Sequence, residues 1–518
     1  MDKKIFNKKI YSKKIITIKE LLKIIKPFPR NEKVIMCHGT FDVVHPGHIR
    51  HLFYAKSKAK YLIASLTSDR HIEKANYRPF IPEELRAINL AALEMVDYVL
   101  IDEEATPINN IKTIKPDYFA KGFEYGNKGI NIKTSEEIKI LESYGGEIIF
   151  TPGDIVYSSS SIIENIPPPI KIEKLMILMQ SENLSFKDLR KTVSNFRNKT
   201  VHVIGDTIVD SFTYCSMIGG MTKTPTMSLK FENKVNYVGG AAIVAKHLKT
   251  AGANVVFTTV LGSDDLSAFV LKDINKQKIN ISNFTDATRP TTNKNVIICD
   301  NYRLLKIDTL DNRQISPIIE KNISKSIKNT KADAVIFSDF RHGIFNKNTI
   351  PEFTKNIPSN CLKVADSQVA SRWGNILEFK DFDLITPNEK EVRFSLGDQD
   401  SVVRPLGLEL YNKSKCKTLI LKCGNKGLIT YRSPVMNDYR SFFVLDSFVG
   451  NLVDPVGAGD ALLAYSTLSL LVNKNEVVAS IIGNIAAAIE CENEGNVPVL
   501  PDEIIQRLDN FEKQTNLK

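Results

Sequence analysis

The sequence predicts an α/β protein built from two doubly wound parallel-sheet domains of unequal size. Three observations carry this. Short apolar runs alternate with helix-patterned stretches over the first third of the chain. The same alternation resumes after residue 175 over a longer span. Between the two lies Glu164-Asn-Ile-Pro-Pro-Pro-Ile170, whose three successive prolines favour extended backbone and stop a helix. Alternating strands and helices assemble as right-handed βαβ units on parallel sheets. At about 150 residues per domain, 518 residues suggest roughly three domains. The pattern reduces this to a basic leader with a capped helix (1–32), a front domain (33–165), a Pro-rich linker (166–175) and a rear domain (176–518).

The leader explains the charge. The chain carries +10, but residues 1–33 hold ten Lys and one Arg against Asp2, Glu20 and Glu32, so +8 resides there. The body is nearly neutral, which disfavours a nucleic-acid partner. Thr17-Ile-Lys-Glu20 reads as a capping box before Leu21, Leu22, Ile24 and Ile25, so the leader contains a helix whose lysines are expected in solvent. At 43% hydrophobic and 25% charged, the composition excludes disorder, collagen and coiled coil for the whole chain. Seven scattered cysteines without a CxxC pair point to a reduced, cytoplasmic protein. No apolar run reaches the ~18–20 residues of a membrane span.

In the front domain the strand candidates are Val34–Cys37, Tyr61–Leu66, Tyr98–Ile101, Tyr118–Ala120 and Glu147–Phe150. In the rear they are Val201–Ile204, Val255–Val260, Ala334–Phe337, Leu362–Ala365, Asp383–Thr386 and Thr418–Lys422. Alternation in Thr226–Phe231 and Val235–Val238 reads as two antiparallel strands of a small β flap outside the main sheet.

After the first front strand comes His38-Gly-Thr-Phe-Asp-Val-Val-His-Pro-Gly-His48. Gly39, Thr40 and Phe41 make the turn, and Pro46 suits a first helical position. A strand-to-helix turn at the carboxyl edge of a parallel sheet is a ligand site, and the helix N-terminus offers N–H groups to phosphate. His45 and His48, three apart, project to one side and can donate to phosphoryl oxygens. Alone, the pair reads as a helix cap and a surface histidine. The longer string resembles the signature of the nucleotidyltransferase superfamily that includes glycerol-3-phosphate cytidylyltransferase. The resemblance covers most of 33–165. It implies basic groups at Lys74 and Arg78, an equivalent of the family's Glu84-Leu-Arg86, a lysine–glycine turn at Lys121-Gly122 and a phosphate cradle at Ser158, Ser159 and Ser160. The implied reaction is attack of a phosphate monoester on the α-phosphorus of a nucleoside triphosphate, with pyrophosphate leaving.

In the rear domain Asp454-Pro-Val-Gly-Ala-Gly-Asp460 precedes an apolar helix. Gly457, Ala458 and Gly459 let backbone approach an anion at a helix start, and Asp460 is placed to take a proton from an attacking hydroxyl. The string resembles the signature of ribokinase-like sugar kinases, in ordered motifs over roughly 198–505. On that resemblance Gly239 and Gly240 pack near the sugar, and Asp206 and Asp210, at the end of the first strand, bind its hydroxyls. Asn388 and Glu391 lie near Mg2+ and phosphate. Lys422 and Gly424 line the nucleotide side, and Asn484 flanks the adenine. Three positions depart from the family pattern: Ile243 in place of Asn, Pro455 in place of Thr, and Arg341-His342-Gly343 in place of a lysine-containing loop.

Together the halves resemble the two halves of the bifunctional heptose 7-phosphate kinase / heptose 1-phosphate nucleotidyltransferases, in swapped order. The resemblance implies two transferase activities in nucleotide-sugar (ADP-heptose-type) synthesis, Mg2+ with ATP or another nucleoside triphosphate, sugar phosphates as substrates, and a candidate homodimer contact through the β flap. Ile243 motivates the alternative of a single-activity nucleotidyltransferase with a sugar-sensing kinase-like module.

Overall fold

The computed structural model describes residues 13–72, 79–122, 132–151, 171–220, 227–300, 302–368, 375–432 and 441–516. The chain divides into two compact units, Met1–Ile170 and Lys171–Leu517, with Lys518 grouped with the first.

The first unit is a five-stranded sheet: β1 (Val34–Gly39), β2 (Tyr61–Thr67), β3 (Tyr98–Asp102), β4 (Tyr118–Gly122) and β5 (Glu147–Thr151). Their order is β3-β2-β1-β4-β5, and every pairing is parallel. Successive strand residues face opposite ways. Ile35 and Cys37 therefore enter one core layer with Leu62, Ala64 and Leu66, while Val34 and Met36 enter the other with Ile63, Leu100 and Phe119. Both faces being covered explains why these strands read as continuous apolar runs. The capping box is formed: Thr17 Oγ1 accepts from Glu20 N–H and Glu20 Oε2 accepts from Thr17 N–H at 2.8 Å. The helix lysines Lys19 and Lys23 are exposed, as expected, and the leader's arginine is the exception. Arg30 is buried, 3.3 Å from Asp117, and Lys33 is 2.9 Å from the same carboxylate. Part of the leader's charge thus balances a buried acid.

The second unit has a nine-stranded sheet of β6 (Thr200–Gly205), β9 (Asn254–Leu261), β10 (Asn280–Thr285), β13 (Ala334–Asp339), β14 (Leu362–Ser367), β15 (Leu384–Ile385), β16 (Thr418–Lys422), β17 (Leu428–Tyr431) and β18 (Phe442–Leu445). The order is β10-β9-β6-β13-β14-β15-β16-β17-β18, parallel as far as β16 and antiparallel in the last two pairings. A separate four-stranded sheet, the flap, runs β12-β11-β7-β8 with β7 (Thr207–Gly220), β8 (Met227–Gly240), β11 (Asn293–Cys299) and β12 (Tyr302–Thr309).

Several sequence expectations change. The two short flap segments are one fourteen-residue strand, β8, paired along β7. Asp210 does not end the first strand; it lies inside β7. Residues 171–175, assigned to the linker, open the helix Lys171–Ser181. Only Leu384 and Ile385 of the predicted 383–386 strand pair. β12 was not anticipated because nearly all of its residues are exposed, so it lacks a buried apolar face.

Candidate active sites

β1 ends between β2 and β4, where the strand order reverses, the position at which open α/β sheets bind ligands. From there the chain turns into the helix Pro46–Lys56. His45 is its N-cap: Nδ1 accepts a hydrogen bond from Gly47 N–H at 3.1 Å. The cap reading therefore holds, and it leaves the neutral ring's proton on Nε2. The ring of His48 lies 4.0 Å from that of His45 and 5.1 Å from Phe41, centroid to centroid. Burial, aided by His45 and His51, pushes His48 down to about 4. Burial also lowers His45. Both rings are neutral near pH 7, and the His48 ring meets the Val43 backbone. Phe41 is held at φ 49°, a left-handed conformation uncommon for a bulky residue, directly beside this turn.

Lys121 ends β4 next to Gly122, and its ammonium is ion-paired with Glu137. Lys74, Arg78, Ser158, Ser159 and Ser160 fall outside the described residues. Arg86 requires a correction. It is fully buried, and its guanidinium donates to the carbonyls of Ile81 (2.9 Å), Thr67 (2.9 Å) and Thr40 and to Asp69. It fixes the loop that carries Gly39 and Thr40 instead of presenting charge to a phosphate.

Sequence reasoning missed two further groups here. Asp42 accepts from Phe80 N–H at 2.9 Å and Ile81 N–H at 2.7 Å, tying the turn to the chain before Glu83–Ala91. His38 is held by Ser65 (3.0 Å) and Thr67 (3.2 Å), 3.6 Å from Asp102, and burial beside Lys121 pushes it down to about 3. Both lie inside the string from His38 to His48, which was their visible signal.

In the second unit the helix Ala458–Asn473 starts at Gly457, which has φ 84°. A Cβ there would lie 2.7 Å from Glu490 Oε1, so the loop demands glycine. Asp460 sits in the first turn, 7% exposed, and its Oδ1 has no partner. Burial, with Asp366 adding to it, pushes Asp460 up to about 8. A Cβ on Gly459 would stand 3.2 Å from Lys422 Nζ, which places that ammonium beside the anion hole. Lys422 is held by Asp366 Oδ1 at 3.0 Å, and Thr386 Oγ1 donates to the same oxygen at 2.8 Å. Burial alone would lower Lys422, but Asp366 and Glu391 hold it above its ordinary range.

Asn388 and Glu391 form the capping box of Glu389–Leu396: Glu391 Oε1 accepts from Asn388 Nδ2 at 2.7 Å and Oε2 from its N–H at 2.6 Å. Asn388 bridges to Lys422 across the sheet edge, which brings this pair to the phosphate side. Gly424 has φ 58° with open space where its Cβ would stand. Asn484 Nδ2 donates to Asp446 O at 2.9 Å, fixing the helix Glu476–Cys491 against that loop.

The sugar-side motif divides by role. Asp206 Oδ2 accepts from Phe340 N–H at 3.0 Å and His342 N–H at 3.2 Å, so this oxygen shapes the loop after β13. Asp210 Oδ2 receives Asn496 Nδ2 at 2.7 Å, and burial raises its pKa. A Cβ on Gly239 would come within 2.2 Å of Asp210 Oδ2, and Gly240, at φ 62°, has Asp206 O 2.5 Å from its Cβ position. Gly239 thus makes room for the Asp210 carboxylate, and Gly240 for the backbone carbonyl of Asp206. Ile243 is fully buried in the helix Ala241–Thr250.

Residues 36–165 match the cytidylyltransferase-like family and 198–503 match the pfkB family carbohydrate kinases. The chain is 36% identical over 155 residues to "Bifunctional protein HldE" of Helicobacter pylori (strain Shi470), covering 29% of this chain and 31% of that protein. It is 38% identical over 136 residues to the protein of the same name from Campylobacter fetus subsp. fetus (strain 82-40), covering 26% and 29%. It therefore spans under a third of the length of these curated relatives. Phosphofructokinase-2 from Escherichia coli in complex with potassium shares the fold at TM-score 0.50 and 15% identity, over 61% of this chain and 99% of that one. Ribokinase from Giardia lamblia does so at TM-score 0.50 and 15% identity, over 60% and 100%. With a cytidylyltransferase-like domain in front, the chain belongs to the pfkB family of carbohydrate kinases.

Proposed function

We propose that the chain is a bifunctional transferase of nucleotide-sugar synthesis. The second unit phosphorylates a sugar or sugar phosphate with ATP. The first transfers a nucleotidyl group from a nucleoside triphosphate to a sugar 1-phosphate and releases pyrophosphate. The observation that carries this reading is the setting of Asp460: a buried carboxyl with a free oxygen, at a helix N-terminus, beside Lys422.

Asp460 takes the proton of the attacking hydroxyl. The N–H groups from Gly457 to Asp460, the helix dipole and Lys422 meet the charge on the transferring phosphoryl group. Among the described residues no cluster of three or more His, Cys, Asp or Glu could hold a metal alone. Mg2+ suits this edge as a partner of the triphosphate, with Glu391 and Asn388 as its protein-side oxygens, and it would neutralise phosphate charge. In the first unit His45 and His48 receive the triphosphate, and the positioned phosphate monoester displaces pyrophosphate in line. Lys121 reaches phosphate from β4 by exchanging its Glu137 partner for the anion.

No helix among the described residues is long and apolar enough to cross a membrane. That fits a cytoplasmic enzyme working on small soluble substrates. The flap exposes Ile218, Met227, Phe231, Tyr302 and Leu305 at 58–69%. An apolar surface of this extent fits a second copy of the chain, making a homodimer through the flap.

The test is a panel of sugar phosphates against ATP, CTP, GTP and UTP, read by ADP formation, pyrophosphate release and mass spectrometry of products. One triphosphate should give pyrophosphate with a sugar 1-phosphate, and ATP should give a new phosphate ester with a second sugar. A panel with neither product rejects the reading.

A further inference from the structure

Away from both motifs, the second unit carries a basic cleft. Its volume of about 550 Å3 lies within the ordinary range of small-molecule sites. One wall is the helix Phe186–Ser194 with the chain that follows it to β6, and the other is the C-terminal end of the helix Ala458–Asn473. Asn473 Nδ2 donates to Thr192 Oγ1 at 3.0 Å, which holds the two walls together. Lys191, Arg197 and Lys199 line the cleft, and their side chains make no hydrogen bond or ion pair with any described residue. The carboxylate in the lining, Asp188, is engaged elsewhere: its Oδ2 accepts from Ser185 N–H at 2.9 Å and from Ser185 Oγ at 2.6 Å. Three cations against one carboxylate leave the cleft at +2.

Arg197 is anchored at its base. A Cβ on Gly252 would stand 3.2 Å from Arg197 Cγ, so the arginine stem lies along that turn and its guanidinium cannot swing freely from the other charges. Like charges gathered on one concave wall repel, and an anion between them removes that cost. The cleft is also remote from phosphoryl transfer. Lys199 precedes β6 at its N-terminal end, whereas Asp206 follows β6 at its carboxyl end. Asp460 and Asn473 stand at opposite ends of one helix, ~20 Å apart at about 1.5 Å per residue.

We propose that this cleft binds a phosphate-bearing small molecule, as a site separate from the one around Asp460. A phosphate ester carries about −1.5 to −2 near pH 7, which matches the charge of the cleft, whereas a carboxylate carries one. Arg197 takes two phosphoryl oxygens through its planar fork, and Lys191 and Lys199 act as point charges beside them. The rest of the volume accommodates a nucleoside or a sugar, so a nucleotide and a sugar phosphate share the chemistry that the cleft selects.

The experiment titrates the full-length chain with ADP, with a hexose 6-phosphate and with sulfate, at constant ionic strength. Lysine acylation at Lys191 and Lys199 is read by mass spectrometry. ADP or the hexose phosphate should protect both lysines at a concentration at least about tenfold below that of sulfate, and the tighter of the two identifies the source of the phosphate. Arg197→Gln should raise the protecting concentration about tenfold or more, the loss expected for one charge-assisted contact, and leave the melting temperature unchanged. Lys199→Met, read at Lys191, should weaken protection likewise. Protection by none of the three compounds, protection no tighter than that of sulfate, or protection that survives both variants overturns the site.

Discussion

Replacing Asp460 by Asn should reduce sugar phosphorylation by about 10²- to 10⁴-fold, the range expected for loss of a general base. Pyrophosphate release by the first unit should persist. The amide keeps the size of the carboxyl but cannot take the hydroxyl proton. The pH behaviour sharpens the test. Burial pushes Asp460 up to about 8, so the base form grows as pH rises through that value. Wild-type kinase kcat/KM should climb with pH toward about 8 to 9, and the residual activity of Asp460→Asn should lack that step. Stability should move the opposite way. The folded pKa lies above the unfolded one, so the folded state favours the neutral carboxyl, and that advantage is lost as pH rises through about 8. The loss begins once the unfolded carboxyl ionises at about 4, so Asp460→Asn should melt above wild type at pH 9, by a smaller margin at pH 6 and close to it only near pH 4, by calorimetry. Equal loss of both activities, or a variant that melts lower at pH 9, would contradict the assignment.

The two motifs were legible because each is local: a strand end, a glycine turn and a helix start within about ten residues. The β strands that were found share that property, since both faces of their sheets are covered and the runs are uniformly apolar. What escaped depends on distant chain. Asp206 reads as a sugar ligand until its partners Phe340 and His342, 134 and 136 residues away, are seen to occupy Oδ2. Of the four flap strands only β8 is anticipated; β12 is almost wholly exposed and β11 mostly half-buried, so neither shows an alternating apolar contrast. Asp210 is misplaced by a strand in the sequence reading, because β6 and β7 are separated by a single residue, Asp206.

Arg86 gives the other large effect, and it decides between two opposed roles. If Arg86 touched a phosphate, Arg86→Met would leave a normally folded unit with a raised KM for the triphosphate. The structure leads to a different result. Arg86 joins three backbone carbonyls, of Thr40, Thr67 and Ile81, and the Asp69 carboxylate, with no exposed surface. Methionine fills a similar volume but donates nothing, so four acceptors, that of Ile81 buried and the other three half-buried, lose their donor at once. Breaking one side of a buried charged pair typically costs 3–5 kcal/mol, a large part of the ~5–15 kcal/mol that holds a domain folded. The first unit's melting transition should fall by on the order of 10 °C. Its nucleotidyl transfer should fall with it even at saturating triphosphate, because the carbonyl of Thr40 anchors the turn that positions Phe41 and His45. Arg86→Lys should not rescue, since one ammonium cannot reach acceptors spread over a planar fork. Sugar phosphorylation by the second unit should be retained in both variants, which separates a local collapse from general misfolding. Normal melting with only a raised KM would return Arg86 to the phosphate.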